Sequence, residues 1–181
     1  PPPPAPDLWG LFIEDLNDAL DGGLNAELRN GDFEFGEADH EGWDALAAWR
    51  VEAAVEVHQD DLVHENNAHH VGVAGPSVLV HEGWDGIALA AGERLRLSCF
   101  ARAHGEPVRL EASADGLARD GANLVPGGWQ HVEVDLVADG GGRGLLRLEV
   151  DAGVVDLDCV SLRPLGADGE PLTFRPDLLG P

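Results

Sequence analysis

The chain has 181 residues, with 34 acidic side chains against 11 basic ones, for a formal net charge of −23. That balance argues against a nucleic-acid partner, because phosphate binding needs clustered cations, and no apolar run reaches the ~20 residues of a membrane span. The length suits one domain with appendages; two cysteines make no disulfide framework, and Cys99 and Cys159 fall in separate predicted strands with parities that suggest opposite faces, so two free thiols are expected.

In chain order, residues 1–7 form a proline-rich tail, extended in character. No secretory leader is visible and the chain opens on Pro1, which suggests a fragment or processed product and leaves the compartment open. Leu11-Phe-Ile13 is a short apolar run ending in Glu14-Asp15, the pattern of a buried strand that delivers acids to an edge. Glycines and acids then mark a loop from Asn17 to Asn30, so residues 8–30 are expected to be one strand and its loop. From Trp49 onward the pattern changes to strict alternation, with Val51, Val55 and Val57 against Arg50, Glu52 and Glu56. Short strands are predicted at 69–73, 77–80 and 86–90. The clearest follows at 94–102, where Leu95, Leu97 and Cys99 oppose Arg94, Arg96, Ser98 and Phe100. Further alternating runs at 108–112, 117–119, 129–137, 144–150 and 154–162 are separated by glycine-rich turns. Many short strands without an amphipathic helix between them predict an all-β fold, an antiparallel β-sandwich of jelly-roll type over residues 31–165. Residues 166–181 are then a linker ending in a truncated helix start at Phe174-Arg-Pro-Asp-Leu178.

Glu14-Asp15 sits within Gly10-Leu-Phe-Ile-Glu-Asp-Leu-Asn17, followed by Asp21-Gly-Gly-Leu-Asn-Ala-Glu-Leu28 and Asn30-Gly-Asp-Phe-Glu-Phe35. This run resembles the opening of glycoside hydrolase family 51, the α-L-arabinofuranosidases. One departure is the single residue Arg29 between Leu28 and Asn30, where the family usually has two. His64 to His70, Gly83 to Leu89 and Leu97 to Arg102 are similar to the carbohydrate-binding-module-like sandwich that such enzymes insert after the first barrel strand. Asp158-Cys-Val-Ser-Leu162 resembles its closing strand. The resemblance implies that residues 8–16 are an orphaned barrel strand, and that the catalytic barrel with its two glutamates is missing. It also implies that Glu14 contacts the arabinose ring without transferring a proton. The expected partner is a plant-type polysaccharide or arabino-oligosaccharide, and the chain by itself is expected to be inactive. The alternative is a structural or interaction sandwich without sugar affinity.

The residues narrow the chemistry further. Adjacent Glu14 and Asp15 point to opposite faces of a strand and could not flank one glycosidic bond. The eight histidines form no metal-ligand signature, and no nucleophile elbow or phosphate loop is present. Sugar binding needs a ring to stack on the apolar sugar face and polar groups for the hydroxyls. Trp84 with His81 and Asp85, and Trp129 at the head of a strand, are the carbohydrate-binding candidates, with core packing the competing reading for both tryptophans. Trp43 and Trp49 are expected in the core. No cofactor is required. For Asp158, whose parity with Val160 and Leu162 turns it inward, the readings are a carboxylate bonded by backbone N–H groups or a structural calcium. The resemblance pairs it with Glu34 for the latter.

Overall fold

Alternation along the strands builds the fold. The computed structural model describes residues 27–114, 117–172 and 174. The leading strand at 8–16 and nearly all of the predicted helix start lie outside the described residues. Ten strands follow: β1 (Trp49–His58), β2 (His70–His81), β3 (Ile87–Leu89), β4 (Arg94–His104), β5 (Val108–Ala114), β6 (Leu117–Leu124), β7 (Gln130–Val137), β8 (Gly142–Gly144), β9 (Leu146–Val150) and β10 (Val154–Pro164). In β4, Leu95, Leu97, Cys99, Ala101 and Ala103 are buried while the residues between them are not. Successive side chains leave a strand on opposite sides, so this pattern gives one dry and one wet face. β5 does the same with Val108, Leu110, Ala112 and Ala114, and β9 with Leu146, Leu148 and Val150.

All the strand pairings are antiparallel, as in a sandwich with two facing layers. β2 belongs to both layers. Its first half, Val71–Ala74, pairs with β10, and its second half, Ser77–His81, pairs with β9. One layer therefore runs β2–β10–β4–β7 and the other β2–β9–β5–β6, with β1 alongside β2 over most of its length. The sequence suggests two strands at 69–73 and 77–80, but they form one strand that bends at Gly75-Pro76, where the peptide is cis. A Cβ at Gly75 would meet Ala152 N at 2.6 Å and Val150 O at 2.7 Å, so only glycine lets the two backbones approach this closely.

The inward faces merge into one core holding Leu79, Leu97, Leu110, Leu148, Leu157 and Leu162. Each fully buried leucine contributes roughly 1.5–3 kcal/mol of transfer free energy. The segment before β1 also packs here: Leu28 and Phe33 lie in the core, and Trp49 stacks at a tilt on Phe33 with centroids 5.5 Å apart. Asn30 organises that segment. Its Nδ2 donates to Ala45 O at 3.1 Å and Ala47 O at 2.7 Å, its Oδ1 accepts from Phe35 N, and its carbonyl accepts from Trp49 Nε1 at 2.8 Å. The chain enters and leaves the sandwich side by side, because Glu27 N donates to Leu162 O at 2.8 Å and Val160 N to Gly31 O at 2.7 Å.

Trp43, expected in the core, stands half-buried outside it, stacked on Phe35 at 4.9 Å and on His40 at 5.0 Å. From the same loop Phe33 and Ala45 are the side chains that enter the core. Parity also fails at Asp158. β10 bulges between Asp158 and Ser161, with Cys159 at φ +50°, so Asp158 shares the outer parity of Asp156 while Val160 and Leu162 face inward. The carboxylate is still wholly buried, because it is covered from outside.

Candidate functional site

The outer face of the β1–β2–β10–β4 layer carries the densest set of polar side chains. Strand register sets Glu56 opposite Gly72, Gly72 opposite Asp156, and Asp156 opposite Arg102, in one row across four strands. The neighbouring pairs are His58 with His70 on one side and Val154 with His104 on the other. Together with Asp60 and Asp61 from the β1–β2 connection, these residues other than Gly72 line a cleft of about 330 Å³. Gly72 lies under two of them; a Cβ there would lie 2.6 Å from His58 Nε2 and 3.3 Å from Asp156 Oδ1.

Asp156 is the centre of the cluster. Arg102 donates to its Oδ2 at 2.6 and 2.9 Å, His104 Nε2 lies at 2.7 Å and His70 Nε2 at 3.6 Å. Burial alone would raise the Asp156 pKa, but the hydrogen bonds from His104 and Arg102 outweigh it and hold the carboxyl below its usual range. Burial lowers the His70 pKa against the pull of Asp156, which favours the neutral ring. His70 is stacked on His58 at 5.2 Å and meets Trp129 edge-on at 5.2 Å, and its Nδ1 is buried without a hydrogen-bond partner. Trp129 is half-buried beside the cleft. Its Nε1 donates to Asp61 O at 2.8 Å, and the Arg102 guanidinium lies 4.8 Å from its ring centroid. The ring thus holds the β1–β2 connection and a cation as well as bordering the cleft.

Trp84, His81 and Asp85 stand elsewhere, at the β2–β3 turn. Trp84 is half-buried with the Arg29 guanidinium 5.6 Å from its centroid, and the same guanidinium lies 6.0 Å from Trp43. Asp85 is exposed at φ +96°. His81 is wholly buried: Gly83 N donates to its Nδ1 at 2.8 Å, its Nε2 lies 3.0 Å from Arg29 O, and Trp49 contacts it edge-on. Burial pushes its pKa down to about 4, as expected of a packing histidine. The structure therefore brings Trp84 and Asp85 to one turn, sets His81 beneath them, and places Trp129 on another face.

Glu34 and Asp158 flank the segment before β2. Glu34 Oε1 accepts from the N–H groups of Ala68 and His69, and its Oε2 lies 3.2 Å from His69 Nδ1. Asp158 Oδ1 accepts from Cys159 N at 2.6 Å, and Oδ2 lies 3.4 Å from Asn67 Nδ2. Burial pushes the Asp158 pKa up to about 6, helped by the nearby Asp32 and Glu34 charges and opposed by the Cys159 bonds. These are the hard oxygens calcium takes, although among the described residues no three His, Cys, Asp or Glu side chains converge on one point. Cys99 and Cys159 are unpaired as expected, and burial raises both thiols to about 12, which leaves no reactive thiolate. Glu14 lies outside the described residues.

Sequence reasoning missed the cleft. Its signal was present as His58, His70, Arg102 and His104 on the polar parity of neighbouring strands, but strand order was needed to bring them together.

No protein-family model matches the chain. The fold is that of carbohydrate-binding-module β-sandwiches. TmCBM61 in complex with β-1,4-galactotriose superposes with a TM-score of 0.52 at 20% identity, over 77% of this chain and 98% of that one. The CBM22-1–GH10 part of Clostridium thermocellum xylanase 10B, complexed with xylohexaose, gives 0.51 at 15% identity, over 66% and 26%. The enzymatically active domain of tailspike protein 4 from bacteriophage CBA120 gives 0.56 at 14% identity, over 77% and 21%. At these identities the likeness is one of fold. In sequence the chain is 33% identical over 164 residues to an extracellular exo-α-L-arabinofuranosidase of Streptomyces chartreusis, a match covering 87% of this chain and 20% of that protein. The chain thus spans about a fifth of that relative's length.

Proposed function

We propose that this chain is a non-catalytic, carbohydrate-binding-like region of an α-L-arabinofuranosidase of glycoside hydrolase family 51, whose full form releases arabinofuranosyl units from arabinan or arabinoxylan. The observation that carries this reading is the 33% identity to an exo-α-L-arabinofuranosidase along 87% of the chain. The side-by-side entry and exit at Glu27–Leu162 and Gly31–Val160 support it, because a domain with adjacent ends can be set into a loop of a barrel. In this reading the barrel supplies both catalytic glutamates, and Glu14 contacts sugar only in the assembled enzyme. Titration of the chain with arabinan and xylan oligosaccharides, followed by tryptophan fluorescence, tests the binding role. A saturable change supports it, and a flat response to high ligand overturns it. The chain alone should release no nitrophenol from an aryl α-L-arabinofuranoside.

A second reading is a structural sandwich without sugar affinity. It is favoured by the cations already placed over Trp84 and Trp129, which occupy ring faces a sugar would need. For Glu34 and Asp158 we propose a structural calcium, since a cation would offset the repulsion that Asp32 and Glu34 exert on a buried carboxylate. A melting temperature that is equal in calcium and in chelator overturns that site.

A further inference from the structure

We infer that the cleft over Gly72 is where sugar binds, and that it takes a single neutral sugar unit, a chain end or side branch, and not a run of backbone sugars. This rests on the carbohydrate-binding reading and deepens it. The cleft is a built site. Asp156, 5% exposed at its side chain, is held by Arg102 and His104, and a buried carboxylate with that many partners is a fixed, oriented acceptor. His70, 2% exposed at its side chain, lines the same cleft with Nε2 3.6 Å from Asp156 Oδ2, and its buried Nδ1 is unpartnered, which is costly for a polar atom. The absent side chain at Gly72 lets His58 and Asp156, both lining the cleft, pack close over the backbone.

Charge then selects the ligand class. Glu56, Asp60, Asp61 and Asp156 line the cleft against the lone guanidinium of Arg102, so phosphates and uronates are repelled. Donors and acceptors are interspersed, which suits hydroxyls, each of which both gives and takes a hydrogen bond. The small cleft suits one ring with its substituents. A volume of about 330 Å³ sits at the bottom of the roughly 300–1,000 Å³ range of small-molecule sites. One side is also walled by the β1–β2 connection, tied down by Trp129 Nε1 to Asp61 O and by Arg102 to the Asp61 carboxylate at 3.5 Å.

The test is calorimetric titration of the chain with methyl α-L-arabinofuranoside and with α-1,5-arabinotriose, on the wild type, Gly72→Ala, His104→Ala and Trp84→Ala. The Gly72 variant displaces the end of the His58 ring, which lines the cleft, and His104 is half-exposed, so both should keep the wild-type circular dichroism spectrum. The expected result is similar affinity for the two sugars, with losses of about tenfold or more in the Gly72 and His104 variants and none in the Trp84 variant. Loss of binding in Trp84→Ala alone would move the site to the β2–β3 turn, overturning the cleft while leaving carbohydrate binding intact. An affinity that climbs more than about tenfold from monosaccharide to trisaccharide overturns the single-unit claim. Absence of heat with either sugar in the wild type removes both readings.

Discussion

Asp156 and Arg102 show how much a few side chains carry. Removing one partner of a buried pair leaves the other desolvated and unmatched, at a cost of about 3–5 kcal/mol. Asp156→Ala should therefore lower urea-unfolding stability by that order, and Asp156→Asn by less, since an amide can still accept from Arg102. Two other buried groups act against each other with pH. His81, held near 4, binds fewer protons folded than unfolded between its ordinary 6.5 and about 4, so it takes stability away as the pH falls through that window. Asp158, held near 6, binds more protons folded than unfolded between its ordinary 3.8 and about 6, so in the absence of a cation it adds stability as the pH falls. The two act in opposite directions over nearly the same window. Asp158→Asn should leave the His81 loss exposed, and the melting temperature of that variant should fall more steeply between pH 6.5 and 4 than that of the parent.

Among the elements, β2 bears the most, since both layers hydrogen-bond to it. Leu79 lies wholly buried in its second half and Val73 in its first. Leu79→Ala should cost about 2–5 kcal/mol in a single unfolding transition, because both layers lose the same support. Separate transitions for the two layers would contradict that coupling. This is also the scale at which the sequence was most legible. Period-2 alternation located β4, β5 and β7 to within a few residues, because each has one dry and one wet face, and it also placed β10, although both faces are buried there from Val155 to Asp158. It split β2 at Gly75-Pro76, since a glycine–proline pair ordinarily signals a turn and nothing local says that two different neighbours pair across it. It misassigned Asp158 because the β10 bulge resets parity, and a bulge depends on the opposing strand. The cleft escaped for a related reason: its residues belong to four strands whose order alternation does not encode.

For the whole molecule, the charge of −23 sets the colloidal behaviour and strains the folded state through self-repulsion. Raising sodium chloride from low to physiological concentration screens that repulsion and should raise the melting temperature by roughly 2–4 °C for each kcal/mol relieved. Binding of a neutral sugar should be nearly indifferent to the same salt.

The two hydrogen bonds that clasp entry to exit reach beyond the sandwich. An unstructured insertion of this length would tax its host by about 4 kcal/mol in loop-closure entropy. With its ends already latched, the folded sandwich presents the host with something close to a tight turn, and that penalty returns only if the sandwich melts. If the sandwich is set into a barrel as proposed, core lesions such as Leu79→Ala should thus lower the thermal resistance of that barrel without touching it.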